Sequence, residues 1–575
     1  MPFSLFLKVI HLPLIKILLR KELINIVMIY SWRESEMPTK AIKFLLLLVS
    51  IILVFLIPYA ILKTEYDLIL YGGKIVDGTG KGFFKADIGI RNGKIAKISR
   101  WKLRFARSSK KVRIDGLIAS PGFIDVHTHI EPYLLTKGPF IGENFLRQGI
   151  TTLITGNCGT SLINVKELSR WISKKGSLLN IATLIGYNSL WENEVHGSYR
   201  KLLPQEIRNI TKVLCKSLED GALGLSIGPY RAGNVVALED IEPLLKIVAE
   251  RGGVFAIHLR DEGVNQIEAL KEALSIADKT GVTLVVSHFK LSGPINWGKA
   301  EGRLNLIESF RKKGVKVFMS QYPYTASSTS LDFLMPLWAK KQPTKIYSLL
   351  RDSRSREKIK MDMIRNLENN GWKDLSFAYI AWCRTSELNG MNIKNISSIR
   401  EFLCKPTGLQ TSKISNQVEV VLDLIERGGA QMIYHDINEN DMLLIAKYPY
   451  VVFCSDSGVR TPGVGQPHPR GYGAFPRIFS YYVKEKKILS LEEAVKRMTY
   501  LPSLIYQIKN RGLIREGYWA DITIFDYDEI QDLATFSQPF LPPKGIKYVI
   551  VNGEVVLNQN NIEMKFSGKF IRRAF

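Results

Sequence analysis

Between residues 119 and 510 the chain alternates short, wholly apolar runs with longer stretches whose apolar positions recur every three or four residues. Eight such runs stand out: FIDVHTH, TTLITGNCG, ATLIGYNSL, ALGLSIG, GVFAIHLR, TLVVSHFK, KVFMSQYPY and VVFCSDSG. Apolar runs bounded by helical patterns predict parallel strands joined by helices, and eight such units predict a (β/α)8 TIM-like barrel within an α/β fold class. On either side the pattern shifts to short alternating segments with Gly and Asp-Gly turns, as in LILYGGKIVDGTG and KYVIVNGEVVLN. These predict a small β-sandwich built from both chain ends, over 65–118 and 511–575. The stretch from about 335 to 415 is too long for an ordinary connection and predicts a helical insertion or lid beside the barrel mouth.

A third pattern lies at the N-terminus. From Phe44 to Leu62 the sequence carries no charge. As a helix rising about 1.5 Å per residue it would nearly cross a hydrocarbon core, which predicts a transmembrane anchor or signal over 44–62. Lys40 and Lys43 precede it, a charge bias that predicts a membrane partner with the body of the chain on its extracytoplasmic side. Residues 1–43 are basic and apolar. Met37 opens a conventional signal-like sequence, which leaves a start-site artefact open for what precedes it.

Lys and Arg exceed Asp and Glu by 79 to 54, a net charge of +25. Part of this excess lies between Lys340 and Lys373 on a helical pattern, where a solvated face accounts for it, and no nucleic-acid motif accompanies it, so no nucleic-acid partner is expected. Five cysteines, at 158, 215, 383, 404 and 454, are an odd number without paired spacing, which argues against a disulfide framework.

Reactive residues fall where the predicted strands end, the position of the catalytic mouth in a TIM-like barrel. His127 and His129 close the first run and would share one face of a strand. Cys158 closes the second run, His258 the fifth, His288 the sixth and Asp456 the eighth. Singly, each histidine reads as a satisfied core residue, Cys158 as a small hydrophobe and Asp456 as a helix cap. Jointly, four imidazoles, a thiolate and a carboxylate at one mouth offer ligands for one or two zinc-like ions.

In order and combination, GGKIVDGTG, PGFIDVHTH, GNCGTS, HLRDEG, SHFKLSG, QYPYTASST, HPRGYGAFPR and REGYWADITIFD resemble the amidohydrolase superfamily, and within it the D-aminoacylases, or N-acyl-D-amino-acid deacylases. The likeness spans most of the chain after Tyr66. It implies a zinc ion held tightly by Cys158, His258 and His288, a second and weaker position at His127 and His129, and Asp456 as the catalytic proton carrier. It also implies substrate contacts from Lys290, Arg470, Tyr230, Tyr322 and Ser328, and a small N-acyl-D-amino acid as substrate. The segment Ile130-Glu131-Pro132 departs from the aspartates usual at that point of the family. Two other readings remain open at this stage: a cyclic-amide hydrolase of the hydantoinase or dihydroorotase kind, against which the absent lysine bridge counts, and an inactive membrane-anchored binding protein.

Overall fold

The computed structural model describes residues 65–100, 102–196, 200–228, 236–342, 345–403 and 413–573. Every one of the eight apolar runs carries a strand: β1 Phe123–Asp125, β2 Ile150–Thr155, β3 Asn180–Thr183 continued by Ile185–Gly186, β4 Gly224–Ile227, β5 Val254–Ile257, β6 Thr283–Val286, β7 Val317–Gln321 and β8 Val451–Phe453. Neighbours pair in parallel around the series, with registers such as Phe255↔Leu284 and Ser320↔Val452. A parallel bridge between Thr128 and Ser457, just beyond β1 and β8, closes the ring. Strands covered on both faces need no polar alternation, which is why VFAI in β5 and GLSI in β4 are buried throughout.

The connecting helices follow local chemistry. The helix Ala300–Lys312 buries Leu304 and Ile307 and sets basic Arg311 and Lys312 at its C-terminal turn. The helix Gln266–Thr280 ends at Gly281, whose φ of +69° a residue with a Cβ adopts only with strain.

Both chain ends contribute to the flanking sheets. Tyr66–Tyr71, Asp87–Arg91, Lys94–Ser99 and Ser108–Arg113 form a four-stranded sheet. A seven-stranded sheet joins Ile118–Pro121 from the N-terminal side to Ile522–Phe525 and Ile546–Val551 from the C-terminal side. Leu68, Ile88 and Ile90 share one core with Ile522, Ile524 and Ile550.

Phe123 of β1 packs on Phe475 and Phe479, both with ring centroids at 5.8 Å, and Phe479 meets Phe525 at 4.9 Å. Emptying this fully buried position removes the ring that joins barrel to flanking sheet. Phe123→Ala is therefore expected to cost about 3–5 kcal/mol, read as a fall in the urea midpoint. A loss under about 1 kcal/mol would mean that the site collapses around the missing ring.

Two expectations need correction. The insertion is not wholly helical: Ala378–Cys383 pairs antiparallel with Ala430–Tyr434 among its helices. These strands and the helices Ser353–Asn369 and Lys413–Glu426 enclose their own core, with Ile359, Met363, Ile380, Val418 and Met432. The membrane segment, the membrane partner and the extracytoplasmic placement are corrected as well. Among the described residues no helix is long and apolar enough to cross a membrane. The longest described helix, Ser353–Asn369, has 17 residues and would rise about 26 Å, short of a hydrocarbon core of about 30 Å, and it is studded with charge. The expected segments 1–43 and 44–62 lie outside the described residues.

Candidate functional site

At the C-terminal mouth the strand ends turn sharply. Cys158, His288 and Asp456 take φ values of +50°, +34° and +49°. Such backbone costs about 1–3 kcal/mol per residue and persists where the surrounding structure enforces it, which is common at functional sites. Here it aims a thiol, an imidazole and a carboxylate at one point.

Cys158 Sγ lies 3.3 Å from His127 Nε2, 3.6 Å from His258 Nδ1 and 3.5 Å from His288 Nε2. These spacings test the fit of a metal. Zinc–sulfur and zinc–nitrogen bonds of about 2.3 and 2.05 Å at a tetrahedral angle place the two ligand atoms about 3.5 Å apart, so the donor set matches zinc in chemistry and spacing. His129 stands at the edge of the cluster, its ring 5.1 Å from that of His127. Asp456 Oδ1 is 3.6 Å from His127 Nε2 and 3.3 Å from His129 Nε2, which makes a second donor group of two imidazoles and a carboxylate.

Electrostatics bears out the unusual density of groups. Burial alone would raise the Cys158 thiol, but His127 and the neighbouring imidazoles outweigh it and hold the thiol well below its ordinary range. Burial lowers His127 to about 4, which keeps it neutral and able to ligate. Asp456 is held well below the usual carboxylate range: burial opposes ionisation, and Arg470, then His288 and His129, override it.

The mouth opens into a cavity of about 430 Å³, a size suited to a small molecule. His129, Cys158, His258, His288, Lys290, Tyr322, Ser328, Asp456 and Arg470 all border it. His127 lies just beneath, fully buried. Arg470 lies over the Tyr322 ring at 4.7 Å and donates through Nη1 to Asp456 Oδ2 at 2.7 Å. Arg470 Nε and the Tyr322 hydroxyl are buried without a hydrogen-bond partner. Ser328 offers its carbonyl to Arg470 Nη2 and donates its hydroxyl to Met432 O. Tyr230 lies outside the described residues.

Among the cavity residues that escaped the sequence reading are Glu262, Asp436, Arg460 and Ser292. Glu262 had a visible signal, since it follows His258 by four positions in HLRDEG and is charged in a Gly-containing loop. Asp436 follows the insertion strand Ala430–Tyr434 and accepts hydrogen bonds from the Ser292 and Ser327 hydroxyls, so it ties the insertion to the barrel mouth. Glu131, in the divergent segment, accepts from Gly156 N and from the Thr155 hydroxyl, and so braces the loop that carries Cys158.

Burial raises Asp436 to about 6, with the serine hydroxyls opposing. Its folded value exceeds the unfolded 3.8, so the stability linked to its proton is complete below pH 4 and is lost as pH rises through 6. Two units correspond to about 3 kcal/mol. Asp436→Asn is expected to exceed wild type in stability by about that much at pH 8, with the gap narrowing towards pH 4 in urea melts. A gap independent of pH would refute the ionisation account.

The closed parallel barrel carries this donor cluster at its C-terminal mouth, and residues 441–557 match the model of the amidohydrolase family. The chain carries an amidohydrolase domain and is a homologue of the N-acyl-D-amino-acid deacylases. It is 29% identical over 522 residues to N-acyl-D-glutamate deacylase of Alcaligenes xylosoxydans xylosoxydans, covering 87% of this chain and 95% of the relative. It is 28% identical to the D-aminoacylase of the same organism, covering 88% and 98%. The crystal structure of N-acyl-D-glutamate deacylase from Bordetella bronchiseptica, complexed with zinc and a phosphonate inhibitor that mimics the tetrahedral intermediate, superposes with a TM-score of 0.73 at 29% identity, covering 88% of this chain and 100% of that one.

Proposed function

We propose that this protein hydrolyses the amide bond of N-acyl-D-amino acids, releasing a carboxylate and a free D-amino acid, with zinc as cofactor. The observation that carries the reading is the position of Asp456. One of its oxygens is tied to Arg470 at 2.7 Å, and the other faces the imidazole cluster, 3.3 Å from His129 and 3.6 Å from His127. A carboxylate so held is placed beside the donor set without being consumed by it.

Cys158, His258 and His288 would hold zinc, with His127 and His129 as a second, weaker position. The ion, when bound, supplies Lewis acidity to the amide carbonyl and lowers the pKa of water towards the neutral range. Asp456 Oδ1 accepts the proton of the attacking water and delivers it to the departing nitrogen, which would otherwise leave as a strongly basic amide anion. Lys290, Tyr322 and Arg470 border the cavity beside it, where the lysine and the guanidinium would meet the substrate carboxylate. Ser328 shapes that wall through its carbonyl on Arg470.

With carbonyl, nitrogen and carboxylate fixed, one enantiomer alone can seat its side chain without collision. The purified zinc-loaded protein is therefore expected to hydrolyse N-acyl-D-amino acids and to leave the L forms at background. Equal rates on both would remove the assignment. A cyclic-amide reading fits less well, since the loop after the second strand carries Cys158 and the nearby Lys290 is turned to Glu262 at 2.6 Å.

A further inference from the structure

We propose that Glu262 is the positioning residue that sets the ring orientation of two zinc ligands at once and ties them to the substrate-binding lysine. The proposal rests on the reading that His258 and His288 hold zinc together with Cys158. Glu262 sits on the loop after β5, 7% exposed, with its backbone carbonyl accepting from Ser292 N. Its Oε2 lies 3.4 Å from His258 Nε2 and its Oε1 lies 3.3 Å from His288 Nδ1. These are the outer nitrogens of the two rings. The inner ones, His258 Nδ1 and His288 Nε2, face Cys158 Sγ.

An imidazole that ligates through one nitrogen carries its proton on the other, and a carboxylate on that proton fixes both tautomer and ring plane. Glu262 does this for two rings of opposite tautomer, Nε2–H in His258 and Nδ1–H in His288.

Glu262 could instead be read as a direct ligand, because its oxygens and the outer nitrogens of both rings form a compact donor group of their own. Lys290 excludes that. Its ammonium stands 2.6 Å from Glu262, so the carboxylate already holds a cation, and Lys290 Nζ and His288 Nδ1, 3.1 Å apart, are both donors to Glu262 and are not bonded to each other. The same contact links the metal ligands to recognition: an ammonium anchored on Glu262 is held at the cavity wall, where Lys290 meets the substrate carboxylate. One buried carboxylate thus sets the geometry of zinc and substrate together.

The test uses the full chain. In wild-type protein carrying ¹⁵N-histidine and loaded with zinc, NMR should find the His258 proton on Nε2 and the His288 proton on Nδ1. Either ring protonated on the nitrogen that faces Cys158 would overturn the proposal, and this measurement needs no variant to fold. Glu262→Gln keeps the shape but sets an NH₂ against one of the imidazole protons. It is expected to weaken zinc by about 10- to 100-fold in chelator competition, to alter the visible spectrum of the cobalt-substituted protein and to raise KM as Lys290 loses its anchor. Wild-type zinc affinity, an unchanged cobalt spectrum and an unchanged KM in a folded Glu262→Gln protein would overturn the proposal and leave the zinc reading intact. A wild-type protein that takes up no zinc would overturn both.

Discussion

Asp456→Asn is expected to fold, to keep its zinc and to lose about 10²- to 10⁴-fold in kcat. The amide preserves the shape of the side chain, and its oxygen can still accept the Arg470 hydrogen bond now made at 2.7 Å. It cannot take up a proton. Because the residue borders the donor cluster without being needed to complete the thiolate–imidazole set, zinc content should remain while turnover falls, and KM should change little. Steady-state kinetics alongside elemental analysis of the same preparation decides the point. A kcat within a few-fold of wild type would reject the proton-carrier role. Loss of zinc with activity would instead make Asp456 a ligand.

Cys158→Ala should have the opposite signature, with metal and activity lost together. The thiol lies at 3.3–3.6 Å from three imidazole nitrogens and is the only sulfur in the donor group. Removing it leaves imidazoles alone to bind a dication, in a site that also loses a negative charge. Zinc should wash out on dialysis, and turnover should fall by more than about 10³-fold as the attacking water loses the acidity the ion confers. The barrel should survive, because Cys158 follows β2 and does not lie in it. Stoichiometric zinc with full activity would sink the thiolate assignment.

The eight strands were legible because a strand buried on both faces leaves an unmistakable apolar run, and the reactive residues stood out because they break those runs at one end. His127, Cys158, His258, His288 and Asp456 meet in the structure as their placement suggested. The antiparallel pair in the insertion was not legible. AYIAWC and AQMIY are short and are separated in the sequence by helical segments, so nothing local announces that they pair. Glu262 was missed for a different reason: its spacing from His258 was visible, but its contacts with His288 and Lys290 lie beyond its own loop. Arg470 was foreseen as a reader of the substrate carboxylate. Its grip on Asp456 across the intervening loop became visible only in the fold.

The ring of strands closes between β1 and β8, and the backbone bonds at that join run from Asp456 N to His127 O and from His129 N to Ser457 O. The residues that would carry the proton and hold the weaker metal position are therefore the ones whose main chains stitch the barrel shut. Closure and alignment become a single event: a molecule whose join has parted has separated Asp456 from both imidazoles, and one whose join is made has brought them together. Activity should then track the fraction of barrels that are closed, and amide exchange at Asp456 and His129 would report on catalytic competence without any substrate present.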